Sequence, residues 1–375
     1  MKTATKLIHN AHSVDPTTGA LNTPIVATST FAQKDIFADQ EFDYARSGNP
    51  TRKALEETIA LLEGGARGYA FSSGMAAISS ALGIFAAGDH IVAAEDIYGG
   101  SYRILNTFYK RFGLEHTAVN ASDLSEIRRA IKPNTKAIFL ETPSNPLLKI
   151  TDLKGAIAIA KERDLLTIVD NTFMTPLLQR PIELGADIVV HSATKFLGGH
   201  SDLVLGLAVA ASDTIGRRIY QVQNGFGATP SPFDCFLTLR GIKTLRARLA
   251  IEQEGAQKLA AWFQSRDEVE RVYYPSIGEG AKLHSSQADG FGAVLSFKTK
   301  TLEAALGFLK KVRLAASAVS LGGVETIVSY PVKMSHAAIP PNERERLGVS
   351  DALIRVSVGL EDIDDLIDDF DKALR

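Results

Sequence analysis

Between about residues 70 and 210, short apolar runs alternate with helix-length segments. The runs fall at residues 91–95, 137–141, 166–170, 187–191 and 203–210. The middle ones are continuously apolar and close on a polar residue at the C-terminal tip. Unbroken runs of this kind suit parallel strands covered by helices on both faces, and spacers such as 151–163 are long enough for crossover helices. Helix signals frame the pattern. Asn49 before Pro50 marks a start, Leu55, Ile59 and Leu62 follow at spacings of four and three, and Gly64-Gly65 marks the end. Ser73 is placed to cap a second helix with Ile78, Leu82 and Phe85 on its apolar face, ending at Gly88.

Beyond about residue 235 the pattern changes. A charged helical stretch at 246–264 precedes shorter strand candidates at 271–274, 293–297 and 353–358. The chain closes on an amphipathic helix with Ile363, Leu366, Ile367, Phe370 and Leu374 on one face, and the acids between Glu361 and Asp371 read as its solvated side. The first 45 or so residues carry Pro16, Gly19 and Pro24 and no sustained period, so they read as an irregular arm. The expected organisation is α/β: an arm at 1–48, a large domain with a mostly parallel sheet at 49–235, and a smaller α/β domain at 236–375.

Composition narrows the class. The 375 residues are 45% hydrophobic and 22% charged, an ordinary globular balance. A net charge of −2 offers no clustered positive surface for nucleic acid or an anionic membrane. No window approaches a membrane span, and His9, Asn10, His12 and Asp15 interrupt the apolar stretch a signal peptide needs. A single cysteine, Cys235, precludes an intrachain disulfide and fits a reducing cytoplasm.

In open parallel sheets ligands sit outside the carboxyl ends of the strands. Those tips carry Ser72-Ser73-Gly74, Asp96 with Tyr98, Glu141 with Asn145, Asp170, and His191-Ser192-Ala193-Thr194-Lys195. The glycine fingerprints of nucleotide sites are missing, and the histidines and lone cysteine show no metal-ligand spacing. His191 and His200 read as hydrogen-bonded structural groups. Lys195, past an apolar strand and beside Gly198-Gly199, is placed to lose its proton and attack a carbonyl as a free amine. Asp170 ends a strand too apolar to hold a carboxylate without a cation, and a protonated pyridine nitrogen is one; the plainer reading is a cap in the following turn. Ser73 and Gly74 open a helix whose amides favour a phosphate, Ser192 and Thr194 add hydroxyls, and Tyr98 is placed to stack on a planar ring. Together these describe pyridoxal 5′-phosphate. Ser192-x-x-Lys195 also matches serine–lysine acyl enzymes, but no K-T-G or S-D-N accompanies it. A non-catalytic scaffold is the remaining rival, and the intact set of Lys195, Asp170 and Tyr98 argues against it.

Particular stretches carry a family resemblance. DYARSGNPTR (43–52), FSSGMAA (71–77), EDIYGG (95–100), ETPSNP (141–146), the run 169–202, SLGGVET (320–326) and LIRVSVGLED (353–362) resemble the pyridoxal-phosphate enzymes of cysteine and methionine metabolism. The resemblance runs from about residue 5 to the C-terminus and lies with the cystathionine β-lyase, γ-lyase and γ-synthase branch. It implies the aspartate-aminotransferase-like fold (fold type I) with pyridoxal 5′-phosphate carried covalently on Lys195. It further implies Asp170 on the ring nitrogen, and Gly74, Met75, Ser192 and Thr194 on the phosphate. Tyr44 and Arg46 would reach the phosphate of a neighbouring subunit, Tyr98 would stack and assist proton transfer, and Arg355 would grip the substrate carboxylate with Asn145 and Ser320. Asp43 and Glu325 would meet a distal ammonium. The family assembles as tetramers of two dimers, so a cytoplasmic homotetramer acting on a small amino acid is expected. Gly100 stands where methionine γ-lyases carry cysteine. The resemblance favours β-elimination of L-cystathionine to homocysteine, pyruvate and ammonia, with γ-elimination or γ-synthase chemistry as alternatives.

Overall fold

The computed structural model describes residues 1–9 and 14–375; Asn10 and His12 lie outside the described residues. Seven strands form the larger sheet: β1 (Arg67–Phe71), β2 (His90–Ala94), β3 (Glu115–Val119), β4 (Thr135–Glu141), β5 (Leu166–Asp170), β6 (Ile188–Ser192) and β7 (Gly206–Ala210). Their order is β1-β7-β6-β5-β4-β2-β3, with β7 antiparallel to both neighbours and the other pairs parallel. Alternate side chains feed two separate cores. Tyr69, Phe71, Ala208 and Ala210 enter one, while Ala70, Leu207 and Val209 enter the other. Both faces are therefore buried, which is why the central strands read as unbroken apolar runs.

Five strands form the second sheet: β8 (Val269–Tyr273), β9 (Val294–Thr299), β10 (Ala316–Ser317), β11 (Ile327–Ser329) and β12 (Leu353–Ser357). Its order is β10-β11-β12-β9-β8. It packs with the helix Ile363–Leu374 over a third core, in which Phe263 stacks on Phe297 at 4.0 Å and Phe308 meets Phe370 edge-on.

In the larger sheet two strands escape the apolar pattern, and both are its edges; β10 and β11 of the smaller sheet, two and three residues long, are too short to show one. β1 (RGYAF) and β3 (EHTAV) each have one sheet neighbour, and their exposed positions admit polar residues. The second helix is shorter than expected. Gly74–Leu82 ends at Gly83, and Gly88, at φ 86°, belongs to a later turn where its N–H donates to the Gly113 carbonyl. The apolar run at 203–210 is a strand only from Gly206. Before it, Leu205 exchanges hydrogen bonds with Thr194, bracing the turn that carries Lys195. The acids of the last helix are not simply solvated. Asp369 accepts the Arg313 and Leu314 N–H groups, Asp371 pairs with Arg266 at 3.1 Å, and Glu361 takes both donors of Thr326.

The helix Pro232–Gln264 spans both units. It starts well before residue 246 because Ser231 caps it by accepting the Asp234 N–H, with Pro232 in the first turn. Leu239, Ile242, Leu245 and Leu249 enter the core behind the larger sheet, while Ala256, Leu259 and Phe263 enter the core of the smaller. The boundary expected at 235/236 thus falls in its first turns. At Gly241 this helix lies against the Lys195 turn; a Cβ there would stand 2.3 Å from the Gly198 oxygen and 2.5 Å from that of Leu197. Gly241→Ala is therefore expected to destabilise the fold by about 1–3 kcal/mol through overpacking. Thermal denaturation beside an Ala substitution at Gly307, where a Cβ meets nothing within 4 Å, measures the difference.

Candidate active site

The tips of β2, β4, β5 and β6 open onto one cavity of about 430 Å³ between the two sheets. Ser73, Gly74, Met75, Tyr98, Asn145, Asp170, Ser192, Thr194, Lys195, Ser320 and Arg355 all line it, as do Glu141, Thr172, Ser329 and Met334. The strand tips thus bring most of the groups they carry to one place, while Ser72, Asp96 and His191 stay outside the lining. Arg355, which no local signal marks, arrives from β12 in the other sheet.

Ser73 Oγ accepts the Ala76 N–H at 3.0 Å, so the Gly74 and Met75 amides have no intrahelical partner and stand at the cavity. A Cβ at Gly74 would lie 2.8 Å from Ser192 Cβ and 2.9 Å from its Oγ; glycine keeps this anion cradle clear. Thr194 is less free than expected, because its hydroxyl accepts the Leu205 N–H at 3.0 Å. Asp170 makes the local turn contact of its plainer reading and also lines the cavity. Its Oδ1 accepts the Thr172 N–H at 3.0 Å and the Thr172 hydroxyl at 2.6 Å. Burial raises its pKa, opposed by the Thr172 donors and by His191.

Lys195 Nζ donates to Ser320 Oγ at 2.6 Å. Its pKa falls to about 8, chiefly through desolvation and further through the Arg355 charge. It bonds Ser320 rather than Ser192, which removes the serine–lysine acyl-enzyme arrangement. Ser320 itself has φ 89°, a left-handed conformation unusual for a non-glycine residue, and its carbonyl accepts Arg355 Nη2 at 2.6 Å. Arg355 is 3% exposed; it also donates to Asn145 Oδ1 at 3.0 Å and Ser329 Oγ at 3.1 Å, leaving its buried Nε–H without a partner. Burial lowers its pKa to about 10, so it stays a cation at neutral pH. His336, buried behind this group, accepts or donates at Nδ1 with Ser335 Oγ and is held to about 4 by burial and Arg355.

Tyr98 stands at the rim, 40% exposed, with its backbone N–H donating to Glu141 Oε2 at 2.7 Å. Glu141 marks a strand tip in the sequence but had no assigned role, since its closeness to Asp170 depends on the register of β4 against β5. His191 and His200 are structural, as expected. His191 Nε2 meets Glu63 Oε1 at 2.7 Å in the interior, and His200 Nδ1 meets the Gly198 carbonyl at 2.9 Å.

Four expected residues do not line this cavity within one chain. Tyr44 and Arg46 line a separate depression with Thr229 and Pro232, where Arg46 Nη1 donates to the Asn224 carbonyl and side chain. Asp43 is exposed next to Tyr44, and Glu325 is exposed with Ser201 donating to it at 3.4 Å. Among the described residues no group of His, Cys, Asp and Glu is placed to hold a metal ion, and no helix is long and apolar enough to cross a membrane.

The donor set fits pyridoxal 5′-phosphate: a cleared amide cradle for a phosphate, a buried carboxylate for a ring nitrogen and a desolvated amine for the carbonyl carbon. Comparison with known proteins agrees. The family profile described as Cys/Met metabolism PLP-dependent enzyme matches residues 4–375. The cystathionine beta-lyase MetC of Bacillus subtilis (strain 168) is 53% identical over 373 residues, covering 99% of this chain and 96% of that one. The cystathionine gamma-lyase of the same strain is 47% identical over 376 residues, covering 100% and 99%. The crystal structure of cystathionine gamma-lyase from Lactobacillus plantarum complexed with L-serine superposes with a TM-score of 0.98 at 43% identity, covering 100% of this chain and 98% of that one. The chain belongs to the pyridoxal-phosphate-dependent enzyme family of cysteine and methionine metabolism.

Proposed function

We propose that this protein is a carbon–sulfur lyase that cleaves L-cystathionine by β-elimination, releasing homocysteine, pyruvate and ammonia. The observation that carries the reading is the convergence of a desolvated amine, a buried carboxylate and a buried guanidinium on one cavity. Pyridoxal phosphate, when bound, supplies an electron sink for charge left at the substrate Cα. Lys195, with a pKa near 8, is partly neutral at neutral pH and accepts the Cα proton; its bond to Ser320 aims it. Arg355 offers its charge and its unpartnered Nε–H to the substrate carboxylate, steadied by Asn145 and Ser320. Asp170 would face the ring nitrogen, Ser73, Gly74, Met75, Ser192 and Thr194 would hold the phosphate, and Tyr98 at the rim would stack on the ring.

A leaving group on Cβ departs after this one deprotonation, whereas one on Cγ needs a second proton removed at Cβ. The greater identity to the β-lyase than to the γ-lyase of one bacterium supports the shorter route. Cystathionine γ-lyase chemistry is the second reading, supported by the near-complete superposition on a γ-lyase.

Because Tyr44, Arg46 and Asp43 stand outside their own chain's cavity, we assign them to a neighbouring copy's site, with the 1–48 arm as the segment that delivers them. A dimer is then the smallest active unit, and a cytoplasmic tetramer of two dimers the proposed assembly, each chain dividing into 49–235 for the cofactor and 236–375 for the substrate. Asp43 and Glu325 would meet the distal ammonium of cystathionine.

Three measurements test this reading. Incubation with L,L-cystathionine is expected to yield pyruvate and homocysteine; 2-oxobutyrate with cysteine would establish the γ route instead. In the cofactor-free protein, labelling of Lys195 by an amine-selective reagent should be half-maximal near pH 8, because the reagent attacks the neutral amine. Arg355→Met removes a nearby cation, which favours the ammonium, so the same midpoint should move upward. Arg46→Ala should weaken cofactor retention on the order of tenfold, the loss of one charge-assisted bond, measured by equilibrium dialysis.

A further inference from the structure

Glu141 and Asp170 end adjacent parallel strands in register, and both line the cavity with only 6% and 7% exposure. Neighbouring strands run about 4.8 Å apart, so residues in register share one stretch of the cavity wall, and two carboxyls that share a low-dielectric site resist ionising together. The donors around them are unequal. Asp170 accepts both donors of Thr172 and has His191 behind it, all of which favour its charged form. Glu141 accepts a single backbone N–H, from Tyr98. The charged groups facing Glu141 are Asp170 on β5, Asp96 after β2 and Arg355 on β12. Of these, Asp96 is already met by Lys149 at 3.8 Å and Arg355 is shared among Asn145, Ser320 and Ser329. Burial and the Asp170 charge raise the Glu141 carboxyl well above the usual range, in the same direction as the geometry.

We propose that Glu141 is a positioning residue that remains a neutral acid: it fixes the Tyr98 backbone at the cavity rim and leaves Asp170 the single anion at the floor. A neutral carboxyl accepts from the Tyr98 N–H with one oxygen and needs no cation. An ionised Glu141 would instead place a second negative charge beside Asp170 and change the proton affinity of the ring nitrogen and of the Lys195 nitrogen together. The inference rests on the pyridoxal-phosphate reading of this site.

The test uses the full-length, cofactor-loaded enzyme. Glu141→Gln preserves shape, acceptor and donor but cannot ionise. It is expected to leave the visible absorption band, its circular dichroism and the midpoint of its pH transition as in the parent. Glu141→Ala removes the acceptor for Tyr98 and is expected to keep bound cofactor, alter the dichroism of that band and lower kcat about tenfold. If Glu141→Ala fails to fold, Glu141→Met fills the space without an acceptor and carries the same expectation. A lowered midpoint in Glu141→Gln would mean a true negative charge had been removed and would overturn the proposal. So would unchanged dichroism and kcat in the variant lacking the acceptor. A parent protein that acquires no visible band with pyridoxal phosphate would instead overturn the reading of the site itself.

Discussion

One buried cation organises this site. Arg355 sits in the middle of the smaller sheet, yet its guanidinium reaches Asn145 beyond the tip of β4 in the larger one. A buried guanidinium is costly unless its donors are met, and removing its acceptors would leave an uncompensated charge. The Asn145 side chain, the Ser320 carbonyl and the Ser329 hydroxyl meet that need, and the bond to Asn145 ties the smaller sheet to the tip region of the larger one at the cavity. The left-handed backbone at Ser320 follows from the same demand, because it turns the carbonyl to Arg355 while the hydroxyl meets Lys195.

The charges of the cavity then arrange themselves around that cation. Desolvation and Arg355 both disfavour the ammonium of Lys195, bringing an ordinary lysine to where it can give and take protons near neutrality. The two carboxyl groups differ in their donors, with Asp170 held by Thr172 and Glu141 given only a backbone amide. A cavity carrying one amine, one guanidinium and one dominant carboxylate is suited to a zwitterionic amino acid on a ring that stores negative charge.

Much of this was legible in the chain. Parallel strands end where polar residues interrupt apolar runs, so Lys195, Asp170 and Tyr98 announce themselves as tip residues and Ser73-Gly74 as a helix start, and the structure gathers them in one cavity. The misses have physical causes. β1 and β3 are sheet edges, whose exposed positions erase the apolar signature. The run at 203–210 reads as one strand because Leu203 and Leu205 are buried, although they serve the Lys195 turn rather than the sheet. The long helix begins earlier than its charged stretch, at Ser231-Pro232, because a serine cap and a first-turn proline start it before its charged positions begin. Arg355 and Ser320 carry no local mark at all; only family resemblance picked them out.

By itself, then, the sequence determined what is local: the α/β class from burial on both strand faces, the helix caps at Asn49 and Ser73, and the chemistry stationed at each tip. What the tertiary structure alone decided is how those groups act on one another. The lowered pKa of Lys195 depends first on burial and then on an arginine 160 positions later in the chain. The unequal fates of Glu141 and Asp170 depend on strand register and on which donors each finds. Desolvation and Coulomb interactions depend on distance in space, and that distance is set only when the two sheets close on each other.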